Sequence, residues 1–316
     1  MEDGTHAAPA RSRLLLSAGL GAVGSAVLWA ATHRWGAGVT TDSVRYVAAA
    51  RSLASGEGLV THLGEPLVLH APLYPSALAW ISGLFGVDPF SSAHVLNAVL
   101  FGLIVFLSGV LLLRYVRWAP GPALLATGLL IVSIPLVRTA IMAWSEPLFI
   151  VFTLAFLVTI TRYLDGRRAG WLAGAAASAA LACLTRYVGV TLIAAGALAL
   201  VLSRREVLRA RLTRAAVFAV VAALPLLVWV ARNSAVAGTL LGERPSGVFP
   251  VTWNGISAIN AVLTWHIHWI VVWYGWVPLL AYIVIRLIVA LSRSASRPMV
   301  FDYFRSVGPV ALFVVC

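Results

Sequence analysis

Three kinds of side chain in this sequence are equipped for chemistry: carboxylates, histidines and arginines. Asp42 stands in Thr40-Thr41-Asp42-Ser43, Glu146 in Trp144-Ser145-Glu146-Pro147, and His70 in His70-Ala71-Pro72. A carboxylate beside a reacting hydroxyl accepts its proton. A single histidine serves as a metal ligand, a phosphate partner or a solvated loop residue, and the residues around His70 leave all three open. Arg138 and Arg186 carry guanidinium forks, which match phosphate oxygens. Arg186 lies between two closely spaced apolar runs, where an arginine is costly unless paired. Each of these residues also has a plainer use. Asp42 and Glu146 sit where a helix N-terminus favours a negative charge. Arg138 suits a place among lipid headgroups, and Arg45 and Arg51 suit interfacial snorkelling. His266 and His268 are two apart, so on a helix they would not share a face, and a metal pair there would need a strand or loop.

The rest of the composition says what must position these groups. Of 316 residues, 61% are hydrophobic and 11% charged, against about 25% charged in soluble domains. Mean hydropathy is +0.93. Cys183 and Cys316 both lie in apolar runs and suggest no disulfide framework or metal cluster. Every basic residue is an arginine, and the net charge is +12. The net charge could suggest a nucleic-acid partner, but the arginines lie between apolar runs rather than in one patch, so their position reads as membrane topology instead and no nucleic acid is expected. A helix crosses a bilayer with about 20 apolar residues. Runs at 14–32, 91–113, 123–137, 147–161, 171–184, 188–202, 215–230 and 269–291 predict eight spans, and a ninth run begins near Val307. Residues 74–86 are too short to span comfortably and predict a re-entrant or interfacial helix. The first run is long and lacks a convincing cleavage site, so it predicts a retained anchor rather than a signal peptide.

Arginine counting orients these spans. With residues 1–13 as a cytoplasmic tail, 16 of the 23 basic residues fall in inside segments, as the positive-inside rule requires. The domain then runs over 14–316, with a first extracytoplasmic loop at 33–90 and a later one at 233–268. Six of seven histidines, and Asp42, Glu57, Glu65, Asp88, Glu146 and Glu243, fall on the outer side or at its boundary. In the first loop, Thr40 or Thr41 can cap a short helix that Gly56 or Gly58 ends. Val47, Ala50 and Ala54 share one face of it, with Tyr46 and Leu53 alongside, which predicts an amphipathic interfacial helix. Pro72-Leu73-Tyr74-Pro75 makes a rigid approach to the next short helix. Trp253, Trp265, Trp269, Trp273 and Trp276 read as an aromatic belt at the outer interface, or as a stacking platform for sugar rings or an isoprenoid chain.

Taken together these segments resemble the GT-C superfamily of membrane glycosyltransferases, in the branch related to protein O-mannosyltransferases and aminoarabinose lipid A transferases. The resemblance rests on Asp42 just after the first span with Tyr46 four residues on, on Leu53-x-x-Gly56-x-Gly58, and on Pro72-Leu73-Tyr74-Pro75. It continues through Trp144-Ser145-Glu146-Pro147-Leu148-Phe149, Thr185-Arg186-Tyr187, and Leu224-Pro225 through Trp229, Arg232-Asn233 and Gly238. It covers about residues 14–245. Two departures stand out. Many relatives carry a second acid beside the loop aspartate, where this chain has Ser43. Relatives usually have more helices and often a further domain, whereas this chain stops within an apolar run at Cys316, as a truncated product or a shortened relative would.

The resemblance implies an all-α polytopic bundle of about eight to nine transmembrane helices with interfacial helices in the first loop. It implies a plasma-membrane enzyme, N-terminus in the cytoplasm, that moves a sugar from a polyprenyl-phosphate donor to a protein, lipid or glycan acceptor outside, usually with inversion. Such a displacement needs a base and stabilisation of the departing phosphate. Asp42 is the expected base. Glu146 is expected to share that role, to bind the acceptor or to hold a metal. Arg186 and Arg138 are expected at the lipid phosphate, and His70, Tyr46, Tyr74 and Tyr187 at the substrate. No cofactor is certain; a divalent metal, if used, would draw on Asp42, Glu146 and His70. A transporter or flippase, or a non-catalytic membrane subunit, is the alternative. A transporter would show inverted repeats and broken midplane helices, and the sequence has no clear internal repeat.

Overall fold

The computed structural model describes residues 7–116, 120–203, 207–243, 253 and 255–259. Of the described residues 80% are helical, and none forms a strand; two isolated bridges, Gly38 with Met142 and Val60 with Pro66, are the extended pairings. The chain divides into two compact units, Met1–Glu243 and Arg244–Val315. Of the second, residue 253 and residues 255–259 are described, and they are helical. The predicted spans at 269–291 and beyond Val307, His266, His268 and most of the tryptophan belt lie outside the described residues.

Among the described residues of the first unit are ten α-helices: α1 Ala7–Thr32, α2 Thr41–Ala54, α3 Leu73–Phe85, α4 Pro89–Tyr115, α5 Pro120–Leu129, α6 Ile134–Ala140, α7 Glu146–Gly166, α8 Ala169–Thr185, α9 Val190–Leu202 and α10 Leu208–Ala237. Among the described residues, four segments are long and apolar enough to cross a membrane: Ser12–Thr32, Pro89–Tyr115, Glu146–Gly166 and Leu208–Ala237. A fifth counts if Pro120–Val132 and Ile134–Ala140, bent by 52° at Ser133, form one broken span. The run predicted at 123–137 is therefore a kinked pair, since Pro135 sits at the start of α6 and cannot extend the helix before it. The runs predicted at 171–184 and 188–202 are α8, 17 residues long, and a 3₁₀ turn leading into α9, 13 residues long. Both are too short to count as spans by length alone. The first helix begins at Ala7 and α10 ends at Ala237, so both extend beyond the apolar runs they contain.

α1 packs on α4, α4 on α7, α7 on α8, and α10 on both α8 and α9. Outward faces are apolar instead of charged: on α10, Val217, Val220, Val221, Leu224, Leu227 and Val228 are all exposed. Hydrocarbon tolerates that surface and water does not. With lipid outside, helices gain little from hiding apolar area and associate by close approach at small residues. α1 and α4 do so. Ser17, Gly21 and Ser25 recur every fourth residue on α1, and Gly102 and Gly109 face them from α4. A Cβ on Gly102 would lie 2.5 Å from the Gly21 carbonyl oxygen, which is backbone and cannot step aside.

Gly102→Ala is therefore expected to lower thermal stability in detergent, by about 1–3 kcal/mol as for other overpacked contacts. Gly19→Ala has open space around its Cβ position, so its melting midpoint should not fall. Equal midpoints for the two variants would show that the α1–α4 contact does not depend on close backbone approach.

Candidate active site

One end of the bundle gathers the loops that carry the candidate residues. The segment after α1 meets the segment before α7. Gly38 N–H donates to the Ile141 carbonyl at 2.8 Å, and Ala143 N–H donates to the Gly38 carbonyl at 2.9 Å. Trp144 Nε1 donates to Thr40 Oγ1 at 2.7 Å. Thr40 is the N-cap of α2, and its N–H donates to Ser43 Oγ at 3.1 Å. Ser43, at the position where many relatives carry a second acid, is thus a fully buried cap partner. Asp42 follows the cap and points the other way, its side chain 52% exposed.

Asp42 Oδ1 lies 3.3 Å from His70 Nε2 and 3.9 Å from the Arg45 guanidinium. His70 is only 12% exposed, and its Nδ1 is buried without a hydrogen-bond partner. A protonated ring would therefore bury an N–H that nothing accepts. Burial lowers the His70 pKa below its ordinary value; Asp42 pulls the other way, and the Arg45 and Arg186 charges add to the lowering. The ring is then neutral near pH 7, with the proton on Nε2 facing Asp42.

A second acid–base pair stands beside the first. Arg186 Nη1 lies 2.5 Å from Glu146 Oε1 and donates to Ser145 Oγ at 3.3 Å. Both side chains are about one-third exposed, 35% and 31%. Ser145 Oγ also lies 3.0 Å from the Tyr46 hydroxyl. The Tyr46 ring meets His70 edge-on at 4.9 Å and Tyr74 at 5.2 Å. Tyr46 thus joins the Asp42–His70 pair to the Glu146–Arg186 pair. Its burial raises the phenol pKa to about 12, against the opposing Ser145 hydrogen bond, so it stays a neutral hydroxyl.

The expected residues sort into three groups. Asp42, Glu146 and Arg186 come together partly exposed, with His70 largely enclosed beside Asp42. Tyr46 and Tyr74 come together with them but are enclosed: Tyr74 is fully buried and donates to Asn97 Oδ1 at 3.3 Å. These two rings pack against each other, and Tyr46 also packs against His70. Tyr187 is likewise turned inward, donating to the Val68 carbonyl at 2.7 Å. Arg138 is exposed on α6 and makes no bond to the cluster. Arg51 departs from the snorkelling expectation. It forks onto Asp88 at 2.8 and 3.0 Å and so ties α2 to the N-cap of α4. That fork lowers the Asp88 pKa.

Among the described residues, no three histidine, cysteine, aspartate or glutamate side chains are grouped so as to hold a metal ion. Asp42 and His70 give two donors, and Glu146 is engaged by Arg186. Sequence reasoning missed Ser145, which bridges Tyr46 and Arg186, and Asn97, which holds the Ala140 and Met142 carbonyls at 3.1 and 2.5 Å. A lone amide in an otherwise apolar helix was the available signal for Asn97, because a buried amide must find partners.

The sequence model of one family, described as dolichyl-phosphate-mannose-protein mannosyltransferase, matches residues 69–229. No curated protein and no solved structure matches the chain. The matched stretch takes in His70, Tyr74, Glu146, Arg186 and Tyr187, and Asp42 lies ahead of it. It covers half of the chain and runs through the apolar helices that carry the cluster. The chain therefore belongs to the dolichyl-phosphate-mannose-protein mannosyltransferase family and is a membrane glycosyltransferase.

Proposed function

We propose that the chain transfers a hexosyl or pentosyl group from a polyprenyl-phosphate donor to an acceptor hydroxyl, with inversion, on the extracytoplasmic side of the plasma membrane. The observation that carries this reading is the exposed Asp42 carboxylate held against His70, next to the Glu146–Arg186 pair. In the reaction the acceptor oxygen attacks the anomeric carbon and the bond from that carbon to the phosphate oxygen breaks. The polyprenyl phosphate leaves with the electron pair, and the acceptor proton passes to Asp42. Neutral His70 holds one carboxylate oxygen through Nε2–H and leaves the other for the acceptor. Arg186 keeps N–H donors beyond those facing Glu146 and Ser145, and these suit the departing phosphate. Glu146 then acts as the counter-ion that fixes the guanidinium. Membership in this family supports a lipid-linked donor. The arginine asymmetry supports a cytoplasmic N-terminus and hence an outward-facing site.

The test uses the full chain in liposomes with a radiolabelled polyprenyl-phosphate mannose, and a set of alternative donors beside it. Asp42→Asn is expected to lower kcat by about 10²–10⁴-fold, the usual contribution of a general base. Transfer that persists unchanged in Asp42→Asn would sink the mechanism, and a donor that binds but is carried across the bilayer intact would favour a transporter. Arg186→Gln should raise the donor KM by roughly 10–100-fold, the worth of a charge-assisted hydrogen bond. Glu146→Gln should raise it less, because the guanidinium remains but is no longer held.

The lowered His70 pKa also has a sign in stability. Below the ordinary histidine value of about 6.5, the unfolded chain takes up a proton that the folded chain resists. Stability should be full above that value and decline as pH falls toward the folded pKa. Melting midpoints between about pH 7 and pH 5 should therefore slope less steeply in His70→Asn than in the parent. Parallel slopes would mean that His70 is not the group held neutral.

A further inference from the structure

The segment that delivers His70 is anchored at four successive residues, and one hydroxyl stands at the centre. Arg232 Nη1 donates to the Leu67 carbonyl at 3.0 Å. The Tyr187 hydroxyl donates to the Val68 carbonyl at 2.7 Å and lies 3.3 Å from the His70 carbonyl. Gly242, at φ +78°, comes so close to Leu69 that a Cβ there would lie 2.9 Å from the Leu69 backbone. Residues 67–70 are thus clasped between α10, the chain just beyond it, and the turn after α8.

The direction of the central bonds follows from donor counting. Trp229 Nε1, at 3.0 Å from the Tyr187 hydroxyl, can only donate. Asn233 Nδ2, at 3.3 Å, also donates to it, and to the Leu240 carbonyl at 3.0 Å. Both phenol lone pairs are thereby taken, and the single phenol hydrogen must go to the carbonyls of the His70 segment. Asn233 is fully buried, and its Oδ1 accepts from Arg232 at 3.2 Å. The Arg232 guanidinium lies 4.7 Å over the Trp229 ring. Tyr187 itself sits on a fixed backbone. It opens the 3₁₀ turn Tyr187–Gly189, and Gly189 lies so near the end of α8 that a Cβ would meet the Cys183 nitrogen at 2.5 Å.

We propose that Tyr187 is a positioning residue for the Asp42–His70 pair and not a contact to substrate or lipid phosphate. It fixes the backbone on which the His70 ring is presented, with Trp229, Asn233 and Arg232 fixing Tyr187 in turn. This rests on the reading of Asp42 and His70 as the reacting end of the site. Its first readout is independent of sugar transfer, so the two can fail separately.

The experiment measures carbethoxylation of His70 by diethyl pyrocarbonate in the full chain, by mass spectrometry, with exposed His62 as the internal reference. Tyr187→Phe keeps the ring and removes the bond, and His70 should react about tenfold faster, the worth of one buried hydrogen bond, while His62 is unchanged. In the transfer assay Tyr187→Phe should lower kcat with donor KM unchanged. On a His70→Asn background it should add less than about twofold, because coupled residues are not additive. Trp229→Phe, which removes one donor to the phenol, should give the same pattern more weakly and serves if Tyr187→Phe does not fold. Unchanged His70 reactivity in both variants, or a raised donor KM at constant kcat in Tyr187→Phe, would overturn the proposal.

Discussion

Two backbone hydrogen bonds between Gly38 and the 141–143 segment bring the candidate residues of two distant loops to one place. They join the chain leaving α1 to the chain entering α7, more than a hundred residues later. Without them Asp42 and Glu146 would belong to separate loops. The Trp144–Thr40 bond reinforces the junction and fixes the cap of α2, and the Tyr46–Ser145 bond closes it from below. A helix start and a helix approach are thus locked in register, with the acid of each at its edge. Segment pairing of this kind suits a membrane protein, because backbone outside helices must find partners wherever it is shielded from water.

Much of this was legible in the sequence, for identifiable reasons. Asp42, Glu146 and Arg186 stood out because charge is scarce in so apolar a chain. The α2 cap stood out because Thr40-Thr41-Asp42-Ser43 is the local chemistry of a helix start. Helix interiors were legible because apolar length is a local property. What stayed hidden depends on distant partners. Nothing near Tyr187 in sequence announces Trp229, Asn233 or the Val68 carbonyl. Tyr74 reads as an available phenol until Asn97 is seen to receive its hydroxyl. Arg51 reads as a snorkelling cation until Asp88, on another helix, takes up its fork. The break at Ser133 was missed because a run of apolar residues gives length but not direction, though Pro135 was there to be read.

Ser43 gives a physical account of one departure from the family resemblance. At that position a second carboxylate would be buried against the α2 cap and the Thr40 backbone, with no cation among the contacts found there. Serine satisfies the cap and carries no charge to desolvate. Asp42, exposed next to this buried serine, is left with His70 and the Arg45 guanidinium as its neighbours.

α10 also acts as a depth gauge. Its lipid-facing valines and leucines lie between Arg214 and Arg232, which are 18 residues apart, or about 27 Å along a helix at 1.5 Å per residue. That is close to the roughly 30 Å thickness of a bilayer's hydrocarbon core. Arginines held at both ends of such a band set the helix vertically as floats set a net. Arg232 at one waterline is bonded to Leu67, and through Trp229 and Tyr187 to the His70 segment. Under the proposed function, this chain of bonds would tie the Asp42–His70 pair to one end of the apolar band, within reach of a carrier lipid whose tail stays in the membrane.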